Sequence, residues 1–63
     1  MIFQRIKDLR EDADLTQTEL SKYLYISQRS YSHYENGTRD IPINVLIALA
    51  DFYNVSIDYL LGR

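Results

Sequence analysis

The stretch Leu15-Thr16-Gln17-Thr18-Glu19-Leu20-Ser21-Lys22-Tyr23-Leu24-Tyr25-Ile26-Ser27-Gln28-Arg29-Ser30-Tyr31 holds two helix starts in close succession. At the first, Thr16 can accept a hydrogen bond from the backbone amide of Glu19 while the Glu19 carboxylate reaches back to the amide of Thr16, a capping box. Leu15 and Leu20 flank it as a hydrophobic staple. At the second, Ser27 is the N-cap and Ile26 can close on Tyr31. One helix is expected over 17–24 and the next over 28–35, stopping near Asn36-Gly37 because glycine readily takes the left-handed conformation that ends a helix. The first also carries small Ser21 beside inward Leu20 and Leu24. Two short helices joined by so brief a turn form a helix-turn-helix.

Working outward, Ile2, Ile6, Leu9 and Ala13 recur along one stripe of a helix over about 2–13, with Lys7, Asp8, Glu11 and Asp12 on its outer face. On the other side, Pro42 suits the first position of a helix over 42–53, where its missing amide needs no partner, and Leu46, Leu49, Ala50 and Tyr53 mark the inward stripe. Val55 with Leu60 is a third staple around the Ser56 cap, and Asp58 favours the positive end of a helix over 57–61. No strand alternation or repeat intervenes. The expected fold is all-α, five helices in one domain over 1–63.

Sixty-three residues allow only one domain, and a chain of that size buries roughly 60% of its unfolded surface, so its core must be efficient. There is no cysteine and one histidine, which excludes a disulfide framework and leaves a zinc site without ligands; no metal or cofactor is expected. No apolar run approaches the roughly 20 residues of a membrane span, and Met1-Ile2-Phe3-Gln4-Arg5 lacks the order of a signal peptide, so a cytoplasmic location is expected. The net charge of −2 is unusual for a nucleic-acid binder. The acids are unevenly placed, however. Asp8, Glu11, Asp12 and Asp14 gather early, whereas from Thr16 to Arg39 the cations Lys22, Arg29 and Arg39 against Glu19 and Glu35 leave +1.

Packing Leu20, Leu24, Ile26, Tyr31 and Tyr34 inward would turn Gln28, Arg29, Ser32 and His33 outward together, on a rod narrow enough for a major groove about 12 Å wide. Glutamine can pair with adenine N6 and N7, arginine with guanine O6 and N7, and serine is adaptable. These four are the candidate base contacts. Gln17, at a helix start, is a candidate for phosphate, as are Ser27 beyond its capping role and Asn36, Thr38 and Arg39 in the following loop. The same residue types also serve as ordinary solvated side chains, His33 above all. An enzyme finds no support: there is no cysteine nucleophile or glycine-rich phosphate loop, and His33 and Glu35, two apart on a helix, do not face each other.

The segments Leu15-Thr16-Gln17-Thr18-Glu19-Leu20, Ile26-Ser27-Gln28, Tyr34-Glu35-Asn36-Gly37 and Ser56-Ile57-Asp58-Tyr59-Leu60-Leu61-Gly62, in this order and spacing, resemble the phage repressor and Cro-type helix-turn-helix family, also called XRE. The resemblance covers nearly the whole chain. It implies a five-helix lambda-repressor-like domain with Gln17 on phosphate, Gln28, Arg29, Ser32 and His33 toward bases, Asn36 and Arg39 toward backbone, and a structural ion pair between Arg10 and Glu35. Two positions depart from the family pattern. Tyr25 stands where glycine is usual, so either a strained positive φ or a different turn is expected, and Tyr31 stands where a β-branched aliphatic is common.

The function these expectations support is sequence-specific binding of double-stranded DNA by a transcriptional regulator, a repressor acting as a homodimer on half-sites about 34 Å apart or a multiple of it. Ile43, Ile47, Phe52, Ile57 and Tyr59 are surplus apolar groups that could form the dimer contact or complete the monomer core. Such domains often join a C-terminal sensor or effector module. The alternative is a protein-interaction module of the same fold, an antitoxin or assembly domain, which the acidic pI near 5.1 favours.

Overall fold

In the computed structural model, which describes residues 4–62, five α-helices follow one another: α1 (Gln4–Asp12), α2 (Gln17–Leu24), α3 (Gln28–Asn36), α4 (Ile43–Tyr53) and α5 (Ile57–Leu60). No strand occurs among the described residues.

Three of the four links are one three-residue device repeated: Asp14-Leu15-Thr16, Tyr25-Ile26-Ser27 and Asn54-Val55-Ser56. Its first residue is left-handed, with φ of 56°, 58° and 55° respectively. That turn lets the amide of the second residue close back on the preceding helix, Leu15 on the Arg10 carbonyl at 3.1 Å, Ile26 on Ser21 at 3.1 Å and Val55 on Ala50 at 3.0 Å, satisfying carbonyls that the helix end leaves unpaired. The second residue's side chain then packs against the core. The third caps the next helix through its hydroxyl, which accepts at 3.0 Å from the amide of Glu19, Ser30 or Tyr59. At Thr16 the Glu19 carboxylate also accepts from the Thr16 amide at 3.0 Å, closing the capping box. The backbone and hydroxyl bonds to Thr16 hold the Glu19 carboxyl below its ordinary range.

The fourth link differs. Gly37 is left-handed at φ 79° and Thr38 closes on the His33 carbonyl at 3.0 Å, after which the chain runs on to Pro42. Pro42 (φ −62°, ψ 150°) stands before α4 as its cap, one residue earlier than the first-turn place expected for it, and offers no side-chain hydrogen bond.

The core is drawn from every helix: Ile6, Leu20, Leu24, Tyr31, Val45, Leu49, Ala50 and Leu60. Leu46 is buried as well and Tyr53 half-buried, as the α4 stripe required; Val45 joins them from outside that stripe. Two positions of the α1 stripe need separate mention. Ala13 is exposed, a correction: α1 stops at Asp12 and the chain reverses through Asp14, carrying Ala13 off the inward line. Ile2 lies outside the described residues. Tyr31 is fully buried, so the larger ring is housed in the core beneath α3.

Candidate nucleic-acid interface

On α3, Tyr31 and Glu35 are buried and Tyr34 is half-buried, which fixes the helix's rotation. Gln28, Ser32 and Asn36 line up at i, i+4 and i+8 along one flank, with Gln28 three residues before Tyr31 and nearest the buried face, and Arg29 and His33 lie in the row farther round toward solvent. Gln28, Arg29 and Asn36 are exposed, whereas Ser32 and His33 are half-buried, so the four base candidates do not all stand fully outward. Asn36 Nδ2 approaches Ser32 Oγ at 3.4 Å along this row. His33 is tied by Nδ1 to Thr38 Oγ1 at 2.8 Å, and the Thr38 hydroxyl lies 3.3 Å from the His33 carbonyl, so these two residues brace the end of α3.

Gln17, at the first turn of α2, meets this row directly. Its Oε1 accepts from Gln28 Nε2 at 2.9 Å, joining the starts of both helices into one polar edge. Its Nε2 donates to Glu35 Oε1 at 3.2 Å. Glu35 in turn receives Arg10 Nη2 at 2.9 Å on Oε1 and Arg10 Nε at 2.9 Å on Oε2, a bidentate pair, while Arg10 Nη1 donates to the Leu15 carbonyl at 2.8 Å. The ion pair that the family resemblance implied is thus in place between α1 and α3. Glu35 is almost wholly enclosed, with 3% of its side chain exposed.

Burial alone would push the Glu35 carboxyl up. The Arg10 bonds, the adjacent Tyr31 hydroxyl, Gln17 and the Arg10 charge outweigh it, and the group is held below its ordinary value. Arg10 is raised, first through its bond to Glu35. Burial, followed by the neighbouring Glu35, pushes the Tyr31 phenol up, and burial lifts that of Tyr53 to about 12. Both hydroxyls are buried without completing a hydrogen bond among the described residues, although Tyr31 faces the Glu35 carboxylate.

Among the remaining candidates, Arg29 and Arg39 are exposed and free to reach outward, as is Thr38 apart from its tie to His33. Ser27 is committed within the domain: its hydroxyl accepts from the Ser30 amide and donates to Ser30 Oγ at 2.9 Å. The links from Gln28 to Gln17 and from Gln17 to Glu35 are absent from the sequence reading, which treated the two glutamines as separate contacts. A shallow depression of about 340 Å³ on α2 and the turn after it is lined by Glu19, Lys22, Tyr23 and Tyr25, none of them a candidate contact.

Residues 6–60 match the protein-family model described as helix-turn-helix. The chain belongs to the phage repressor and Cro-type helix-turn-helix family. It is 42% identical over 60 residues to the HTH-type transcriptional regulator ImmR of Bacillus subtilis, covering 95% of this chain and 47% of that one. It is 39% identical over 63 residues to the antitoxin PezA of Streptococcus pneumoniae, covering all of this chain and 40% of the relative. It is 34% identical over 62 residues to the cryptic phage CTXphi transcriptional repressor RstR of Vibrio cholerae, covering 98% and 56%. The chain thus spans about half the length of the curated relatives it matches. As a helix-turn-helix domain it keeps the left-handed turn at position 25 but makes it with a tyrosine.

Proposed function

We propose that this chain is the DNA-binding part of a transcriptional regulator, a repressor, that reads duplex DNA with α3 in the major groove. The observation that carries the reading is the flank of α3 bearing Gln28, Ser32 and Asn36, with exposed Arg29 beside it and Gln17 bonded to Gln28, left outside the core by the burial of Tyr31 and Glu35. Gln28 and Arg29 supply base contacts, with Ser32 and His33 on the flank. Gln17, beside the free amides at the start of α2, suits a phosphate, and Asn36, Thr38 and Arg39 suit the neighbouring backbone. Ser27 contributes chiefly by capping α3. Glu35 is neutralised by Arg10 and Glu19 is held in its capping box, so the acidic average does not describe this edge.

The working form is a homodimer in the cytoplasm, joined to an effector segment or protein partner. Ile43 and Ile47, 64% and 46% exposed at i and i+4 on α4, support self-association. Phe52 and Tyr59 already have neighbours on the chain, Phe52 in the Tyr23 ring at 5.1 Å and Tyr59 in the Arg5 guanidinium at 4.3 Å. Among the described residues no helix is long and apolar enough to cross a membrane.

Replacing Gln28 and Arg29 together by alanine should weaken binding to a duplex selected from a random library by roughly tenfold or more, with the helical circular dichroism retained. Unchanged affinity would contradict the proposal. The second reading, a protein-interaction module, draws on the antitoxin relative and on exposed Tyr23 against Phe52. It expects partner binding to survive the same double substitution.

A further inference from the structure

We infer that Asn36 is a site of slow self-modification: the backbone nitrogen of Gly37 closes on the Asn36 side-chain amide and expels ammonia, and water then opens the ring to a carboxylate, so that the end of the α3 flank turns acidic and loses its hold on DNA. The chemical step stands on the chain alone; its consequence rests on the DNA-binding reading above.

The step balances without a cofactor, an oxidant or a reductant. The Gly37 nitrogen gives up its proton and bonds to Asn36 Cγ, the Cγ–Nδ2 bond breaks, and Nδ2 takes up a proton and leaves as ammonia. Water then adds to one carbonyl of the cyclic imide. Attack at the side-chain carbonyl gives aspartate, and attack at the main-chain carbonyl gives isoaspartate, in which the backbone runs through the former side chain.

Several features single out this asparagine. The attacking nitrogen must be unhindered, and Asn36 precedes Gly37, whereas Asn44 and Asn54 precede β-branched Val45 and Val55. That nitrogen must also be released from its hydrogen bond. Gly37 N donates to the Tyr34 carbonyl at 3.3 Å, a longer bond than the 3.0 Å from Val45 N to Pro42 or from Val55 N to Ala50. Asn36 is exposed and is the last residue of α3, where a helix opens at least cost. Ser32 Oγ lies 3.4 Å from Nδ2, placing a hydroxyl beside the nitrogen that has to leave protonated. Because Asn36 is one of the proposed backbone contacts, a carboxylate there faces phosphate. An isoaspartate also lengthens the main chain just ahead of the left-handed cap at Gly37.

The test is warm incubation of the purified chain near neutral pH, sampled over weeks, with peptide mapping by mass spectrometry, enzymatic methylation to detect isoaspartate, and duplex affinity measured on the separated products. Conversion should appear at Asn36 while Asn44 and Asn54 are intact. The converted chain should bind a selected duplex roughly tenfold or more weakly, the cost of bringing a like charge against phosphate. Asn36→Gln, whose longer side chain does not close the small ring, should hold its starting affinity through the same incubation while wild type declines. Conversion that begins at Asn44 or Asn54, or an Asn36 that stays intact throughout, overturns the inference, and so does a converted chain of undiminished affinity. Should fresh wild type bind no duplex at all, the DNA reading fails and the consequence with it, while the mass spectra still decide the chemical step.

Discussion

Tyr25 occupies the left-handed region at φ 58° with 95% of its surface exposed, so its side chain gains nothing from packing that would offset the backbone cost. An L-residue there is disfavoured by roughly 1–2 kcal/mol, and glycine returns part of that through its unfolded-state freedom. Tyr25→Gly should raise stability by about 0.5–1 kcal/mol, several degrees in Tm for a domain this small, read by thermal unfolding. A lower Tm would mean that the ring has a partner. Asn54 adopts the same conformation at φ 55° with a side chain that tolerates it, so Asn54→Gly should gain less. At this scale the site was half legible. The type and exposure of Gln28 and Arg29 follow from helical period, but the bond from Gln28 to Gln17 depends on how α2 and α3 cross, which no local pattern encodes. The same holds for Tyr31: its burial could be read from its place on the inner face, while its hydroxyl's position against Glu35 could not.

At the level of elements, caps explain why so much of the fold could be read in advance. Thr16, Ser27 and Ser56 act on amides three residues away, and such short-range chemistry leaves its mark in sequence. Helix ends made by backbone conformation leave less: Asp14 tolerates the left-handed turn but does not require it, and the continuation of the α1 stripe to Ala13 missed the reversal there. The caps also separate stability from function. Ser27→Ala and Ser56→Ala should each cost about 1 kcal/mol in urea unfolding. Only Ser27→Ala should also weaken DNA binding, because the first turn of α3 carries Gln28 and Arg29 whereas α5 carries none of the proposed contacts. Equal loss of binding in both variants would mean that affinity follows global stability alone.

For the whole molecule, the Arg10 and Glu35 pair ties α1 to α3 and makes its stability depend on pH. Because the Glu35 carboxyl is held below its ordinary value in the folded state, its contribution is complete above the unfolded carboxylate range, near about 4.3, and is lost as pH falls through the folded value. Urea midpoints should therefore hold steady from neutral pH to about 5 and fall below about 4.5. Glu35→Gln should start lower and flatten that acid limb; an acid limb unchanged by the substitution would place the titrating group elsewhere. Affinity for DNA should decline steeply with salt despite the net charge of −2, since phosphate contacts release counterions whatever the average charge. The central claim, that the edge joining α2 and α3 is the DNA surface, is tested most directly by backbone amide NMR during titration with a selected duplex. The account predicts that the largest shifts fall on Gln17, on Gln28 and Arg29, and on Asn36 to Arg39, leaving Tyr23, Tyr25 and Phe52 nearly still. Shifts centred on Tyr23, Tyr25 and Phe52, with Gln28 unmoved, would contradict it.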